Sequence, residues 1–158
     1  MLEFEHIVQI NDPADSRLRP VGRTQLWQGL LMRARDPGRF NAGIACRIEE
    51  EDDEGFIRYI QAGNTEYREQ VQILPESRID TRTTDTPLQI HAESSTIIEE
   101  PAHGHLFVRF IYRRDLEPDG HQLLVGEHLK SAYRQVDIDA IALIRMLAED
   151  QLLETPFN

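Results

Sequence analysis

From Glu127 to Glu154 the chain runs without a glycine or a proline, and that stretch limits the folds open to it. Leu129, Tyr133, Val136, Ala140, Leu143, Ile144 and Leu147 recur mostly at gaps of three and four, the spacing of a helix with one buried face. Glu127, Lys130, Arg134, Gln135, Asp139, Arg145 and Glu149 fall mostly on the other sides. At ~1.5 Å of rise per residue such a helix is roughly 35–40 Å long. Its apolar stripe needs a partner of comparable length. The upstream segments alternate with period two, so the expected partner is a curved sheet wrapped around the helix. Burial of the stripe predicts that Leu143→Ala costs ~2–5 kcal/mol.

The chain has 158 residues, 40% hydrophobic and 28% charged, which suits one domain spanning residues 1–158 with its own core. The longest apolar run, Ala140 to Ile144, is far too short to span a bilayer. Met1 to Asn11 carries no basic segment ahead of an apolar one, so no signal peptide is expected. Cys46 is the only cysteine. It forms no internal disulfide and no cysteine metal cluster, and a cytoplasmic location fits. The formal net charge of −11 argues against binding nucleic acid or anionic membrane, since both need basic surface.

In order, Phe4, His6, Val8 and Ile10 alternate with Glu3, Glu5, Ile7 and Gln9 and predict a first strand. Asn11-Asp12-Pro13 ends it. Thr24 is the expected N-cap of a short helix through Ala34, with Leu26, Trp27, Leu30 and Leu31 as its apolar face. Gly29 weakens that helix by ~1 kcal/mol relative to alanine, and close packing against another backbone is the expected reason for it. Asp36-Pro37-Gly38 stops the helix. Ile44, Cys46 and Ile48 begin the next strand, and six consecutive acids, Glu49 to Glu54, are expected to end it at a solvated hairpin tip. Further strands are predicted at Phe56–Ala62, Thr65–Leu74, Ser77–Thr83, Leu88–Ile98 and His105–Arg113. Turns are expected at Thr84–Pro87, Pro101–Gly104 and Glu117–Gly120. The short connections predict an antiparallel meander. No internal repeat or second domain is visible.

Gly63-Asn64 has the composition of a two-residue hairpin turn. With that turn Phe56 lies opposite Val71, Ile60 opposite Tyr67 and Arg58 opposite Glu69. All six side chains share one mostly apolar face, by the period of two. That face should meet the long helix, which makes Arg58 and Glu69 an ion pair inside the fold.

The chemistry-bearing residues are few. No Gly-x-Ser-x-Gly, P-loop, His-Glu-x-x-His or Gly-x-Gly-x-x-Gly motif is present. His103 and His105 sit beside Glu99 and Glu100 at a turn, with no third histidine forced nearby, so a metal site is not the expected reading. His121 and His128 read as surface residues. Cys46, between Ile44 and Ile48, reads as a small buried residue rather than a nucleophile. Trp27 reads as core. His6 lies on the apolar phase of the first strand, and Phe110 and Tyr112 on that of the last. Tyr133 lies on the helix stripe, where its hydroxyl needs a partner.

The strings His6-Ile7-Val8-Gln9-Ile10-Asn11, Arg23-Thr24-Gln25-Leu26-Trp27-Gln28-Gly29-Leu30 and Ser131-Ala132-Tyr133-Arg134-Gln135-Val136-Asp137-Ile138-Asp139 carry a resemblance. The chain resembles the AtaL-like family, named for an acetylaranotin biosynthesis protein, over nearly its whole length. More broadly, it is similar to the START and birch-pollen-allergen-like (SRPBCC, polyketide cyclase-like) superfamily. The resemblance implies an α+β helix-grip fold: an antiparallel sheet of about seven strands around a C-terminal helix, enclosing an apolar cavity. Many members of that superfamily bind lipids, hormones or polyketides, and some catalyse cyclisation.

The expected function is therefore binding of a hydrophobic small molecule, of lipid, polyketide or aromatic type, between sheet and helix. Arg58, Glu69, Tyr67, His6, Phe110, Tyr112, Tyr133 and Val136 are the expected cavity residues, and no cofactor is implied. Two alternatives stand beside it. One is a cyclase-like enzyme using cavity acids and bases, since such chemistry needs only placed Glu, His or Tyr groups. The other is an interaction protein with a filled core.

Overall fold

Alternation decides the first strand, β1, Leu2–Asn11. Phe4, His6, Val8 and Ile10 turn inward while Glu3, Glu5, Ile7 and Gln9 face out. In all, the computed structural model of the protein describes residues 1–84, 91–115, 122–150 and 152–153. The expected turns at Thr84–Pro87 and Glu117–Gly120, the start of the Leu88–Ile98 segment and His121 lie wholly or partly outside the described residues.

After β1 come α1 (Arg23–Arg35), a short 3-10 turn, β2 (Ile44–Asp52), β3 (Gly55–Ala62), β4 (Thr65–Leu74), β5 (Arg78–Thr83), β6 (Ala92–Ala102), β7 (His105–Arg114) and α2 (Gln122–Glu149). The seven strands form one antiparallel sheet in the order β1-β7-β6-β5-β4-β3-β2. This is the α+β helix-grip arrangement. β1 and β2 are opposite edges, separated by six strand spacings of ~4.8 Å, or roughly 29 Å. The connection between them carries α1, whose 13 residues cover ~20 Å of that span.

Asn11 fixes the exit from β1. Its side chain donates to the Val21 carbonyl at 2.7 Å and accepts the Val21 N–H at 2.9 Å. α1 then starts two residues earlier than its sequence suggests. Gly22, not Thr24, is the N-cap. Glycine has no side chain to cap with, and the Gly22 N–H instead donates to Gln25 Oε1 at 2.9 Å. The Thr24 hydroxyl donates to Glu76 Oε1 at 2.7 Å in the β4–β5 turn.

Glu49 to Asp52 do not end β2; they belong to it. The register shifts between Glu49 and Asp52, and Glu50 takes φ 52° there, as a bulge requires. Only Asp53 and Glu54 turn. Asp52 Oδ1 accepts the N–H groups of Glu54 and Gly55 at 2.8 and 3.0 Å, and the whole acidic run stays in water. At the next hairpin the positive φ falls on Gly63 (59°) and not on Asn64. Phe56 lies opposite Val71, Arg58 opposite Glu69 and Ile60 opposite Tyr67, as two turn residues demand.

α2 lies along the inward face, rotated from the expected phase. Among the described residues of α2, Gly126, Asp137, Ala140, Ile141, Ile144 and Ala148 are buried. Leu129, Tyr133, Leu143 and Leu147 are half-buried, and Val136 is 38% exposed. Val136 therefore lies off the buried stripe and is not among the residues that line the hollows of the concave face, and the deep burial assigned to Leu143 belongs to Ile144. α1 packs on α2 through Gly29. A Cβ there would stand 2.5 Å from Ile144 Cγ2, so the glycine does make room for a close approach, but to the Ile144 side chain and not to a backbone as expected. Leu26, Trp27, Leu30, Val71, Val108 and Phe110 continue the same core. Among the described residues no helix is long and apolar enough to cross a membrane.

Candidate functional site

The one fully buried carboxylate among the described residues lies on α2. Asp137 has 0% exposure. It follows Tyr133 by four residues and precedes Ile141 by four, which points it at the sheet. Its Oδ2 accepts from Tyr112 O–H at 2.6 Å and contacts His6 Nε2 at 2.7 Å. A carboxylate only accepts, so His6 carries its proton on Nε2. The Arg33 guanidinium, from the last turn of α1, reaches Oδ1 at 2.8 Å. Its N–H groups are not aligned with that oxygen, which has no directed hydrogen bond. At that separation inside a protein the charge attraction is substantial whatever the angle. Four elements thus converge on one carboxylate: β1, β7, α1 and α2.

Aromatic rings wall the cluster. His6 stacks between Phe110 (5.1 Å) and Phe4 (5.5 Å). Arg33 lies over Phe110 with its carbon 5.9 Å from the ring centre. Tyr112 stacks on Tyr133 at 4.2 Å. His6 is a satisfied core histidine: its Nε2 is bound, its faces are covered, and its side chain is 8% exposed. Asp137 and Arg33 are the members that hydropathy reading passes over.

Beside this cluster the described residues of the concave face line two adjoining hollows. One, of about 210 Å³, is lined by Ile60, Tyr67, Glu69, Thr83, Ala92 and Arg114. The other, of about 140 Å³, shares Glu69, Ala92 and Arg114 with it and adds Tyr112 and Tyr133 among others. Of the residues expected in a cavity, Tyr67, Glu69, Tyr112 and Tyr133 line these hollows. Arg58 stands behind Glu69, donating Nε–H to it at 3.0 Å and Nη1–H to the Ala34 carbonyl at 2.7 Å. The pair is largely buried, at 13% and 17% side-chain exposure. His6 and Phe110 belong to the Asp137 cluster and line neither hollow. A larger hollow of about 480 Å³ lies on the convex face, between Ile7, Pro101, Phe107 and Arg109.

Burial, then the charge of Asp137, pushes the Tyr112 phenol far above its ordinary value of 10.0. The folded protein holds this proton more tightly than the unfolded chain. The stability that Tyr112 contributes is therefore complete below pH ~10 and declines as pH rises above it. Absorbance titration of wild type and Tyr112→Phe should show the same number of phenols ionising while the fold persists. An additional phenol titrating near pH 10 in the wild type would contradict this. Cys46 is half-buried and its thiol is pushed up, by burial first, which is the opposite of an activated nucleophile. Among the described residues no three His, Cys, Asp or Glu side chains group as metal ligands.

A seven-stranded sheet gripping a C-terminal helix defines the class, and the solved structures agree. StfQ, a di-domain ARO/CYC from the steffimycin biosynthetic pathway, superposes with a TM-score of 0.71 at 11% identity, covering 96% of this chain and 52% of that one. The chain thus spans about half the length of the di-domain proteins it resembles. The Zhui aromatase/cyclase from Streptomyces sp. R1128 superposes with a TM-score of 0.62 at 12% identity, covering 95% of this chain and 94% of that one. Ara h 8.0201 gives 0.61 at 12% identity, covering 90% and 96%. At these identities the likeness is one of fold. Residues 8–151 match the family described as acetylaranotin biosynthesis cluster protein L, AtaL, and the chain belongs to that family. No curated protein matches it.

Proposed function

We propose that this protein binds a small hydrophobic molecule of aromatic type on the concave face, between the sheet and α2. The observation that carries the reading is the pair of adjoining hollows walled by the rings of Tyr67, Tyr112 and Tyr133. Singly their volumes, about 210 and 140 Å³, fall below the ~300–1,000 Å³ of a drug-sized ligand pocket, and together they reach its lower end. One or two fused rings fit such a space. Tyr67, 36% exposed, stands at the rim, where a longer molecule would leave. The neutral fluorescent probe N-phenylnaphthylamine should bind saturably at one site per chain, and Tyr67→Ala should weaken it. A lack of saturable binding, or binding indifferent to Tyr67→Ala, would overturn the reading.

A second reading, a cyclase-like enzyme, is supported by one contact. Tyr112 lines a hollow with its ring and donates its proton to Asp137, so a bound molecule would lie one side chain away from a carboxylate and a histidine. Acid–base chemistry of that kind acts on acidic C–H groups. Catalysed deuterium exchange into a β-diketone, lost in Asp137→Asn, would support it. An exchange rate no higher than in buffer would remove it.

A further inference from the structure

Three guanidinium groups enter the concave space. Arg33 is matched by Asp137 and Arg58 by Glu69. Arg114 is not matched: among the described residues no carboxylate lies within ion-pair distance of it, in a chain whose 28 acids outnumber its 17 bases. Its Nε–H donates to the Asp115 carbonyl at 3.2 Å and one Nη1–H to the Tyr133 hydroxyl at 3.3 Å. A guanidinium has five N–H donors in a planar fork, so the Nη2 edge has no acceptor among the described residues. Arg114 also lines both hollows. The Tyr133 hydroxyl accepts from Arg114, which leaves its own proton free to donate to a third group. That hydroxyl and the Nη2 edge form a donor pair beside the stacked rings of Tyr112 and Tyr133.

We infer that Arg114 and Tyr133 form an oxyanion subsite, and that the molecule taken up is an aryl carboxylic acid or an acidic phenol of one or two rings. Arg114 pairs with the anion through its free edge, Tyr133 donates its O–H to the same group, and the ring lies towards Tyr67. The opposite wall sets the charge. Glu69 is compensated by Arg58, and the other charged residues lining the hollow have partners of their own, Glu93 with His91 and Arg113 with Glu3, so Arg114 is the lining cation with no carboxylate partner among the described residues. This inference rests on the small-molecule reading above and adds to it the sign and chemistry of the ligand.

The test compares naphthoate with its neutral isostere naphthamide by calorimetry, on wild type, Arg114→Met and Tyr133→Phe. Naphthoate should bind wild type one to one and at least about tenfold tighter than the amide, as charge-assisted hydrogen bonds are stronger than neutral ones. Arg114→Met should remove that preference while leaving the amide within about twofold, and Tyr133→Phe should reduce it in part. Equal binding of acid and amide by wild type would overturn the oxyanion subsite and leave small-molecule binding standing. Binding of neither would overturn both. The wild-type comparison decides the matter even if a variant fails to fold.

Discussion

Replacement of Asp137 by alanine is expected to lower the stability of the folded protein by ~3–5 kcal/mol, the cost of removing one partner from a buried ion pair. Three groups lose their acceptor at once: Tyr112 O–H, His6 Nε2–H and the Arg33 guanidinium. None can turn to water easily, because His6 and Arg33 have side chains only 8% and 22% exposed and aromatic rings cover them. For a domain of this size the loss is on the order of a third of the total and lowers the melting temperature by roughly 10–15 °C. Asp137→Asn keeps the shape and one acceptor oxygen, so it should cost less, with the remainder measuring the uncompensated charge of Arg33. Denaturant unfolding of the two variants gives both numbers. A loss below ~1 kcal/mol for Asp137→Ala would mean that the cluster reorganises around water, and that the carboxylate is not what holds β1, β7 and α1 against α2.

The same residue marks the limit of what the chain discloses as a string. The hairpin register is legible because it depends on local rules: a glycine able to take φ 59° and a period of two leave little choice of pairing. Once Gly63 turns, Arg58 must meet Glu69. The helix is different. A stripe at gaps of three and four can be drawn in neighbouring phases, and hydropathy selects the one that buries Val136. The chain adopts the phase that buries Asp137 and exposes Val136, because the sheet supplies donors at that depth. A sign of this is present in the sequence. His6 and Tyr112 occupy inward phases of two strands with no acid among their inward neighbours, and buried donors need an acceptor. Asp137, four residues after Tyr133, is the acid on the helix that can meet them. Arg33 is harder to foresee, since its position depends on how α1 crosses α2. The start of α1 and the bulge of β2 fail for a similar reason: Thr24 and the acids at Glu49–Asp52 look like a cap and a tip, and tertiary pairing with Glu76 and β3 overrides both.

The crossing of α1 and α2 turns on Gly29 and Ile144, and here the expected effects depend on each other. Ile144 is 1% exposed, and its truncation to alanine should cost ~2–5 kcal/mol, as for other buried aliphatic side chains. Gly29→Ala taken alone offers the helix ~1 kcal/mol of intrinsic preference. The new Cβ, however, would lie 2.5, 2.7 and 3.0 Å from the Cγ2, Cγ1 and Cδ1 atoms of Ile144. That side chain is buried and branched, and cannot move aside without opening the interface, so overpacking of ~1–3 kcal/mol should exceed the propensity gain. In the Ile144→Ala background those three atoms are gone. The same Gly29→Ala change then fills part of the vacated space and keeps the helical preference, so it should stabilise. Unfolding of the four proteins in a double-mutant cycle should give a coupling energy of about 1–3 kcal/mol with that reversal of sign. Gly29→Ala that is neutral or stabilising in both backgrounds would show that the two helices can separate at little cost. The glycine would then be tolerated by the packing without being required by it.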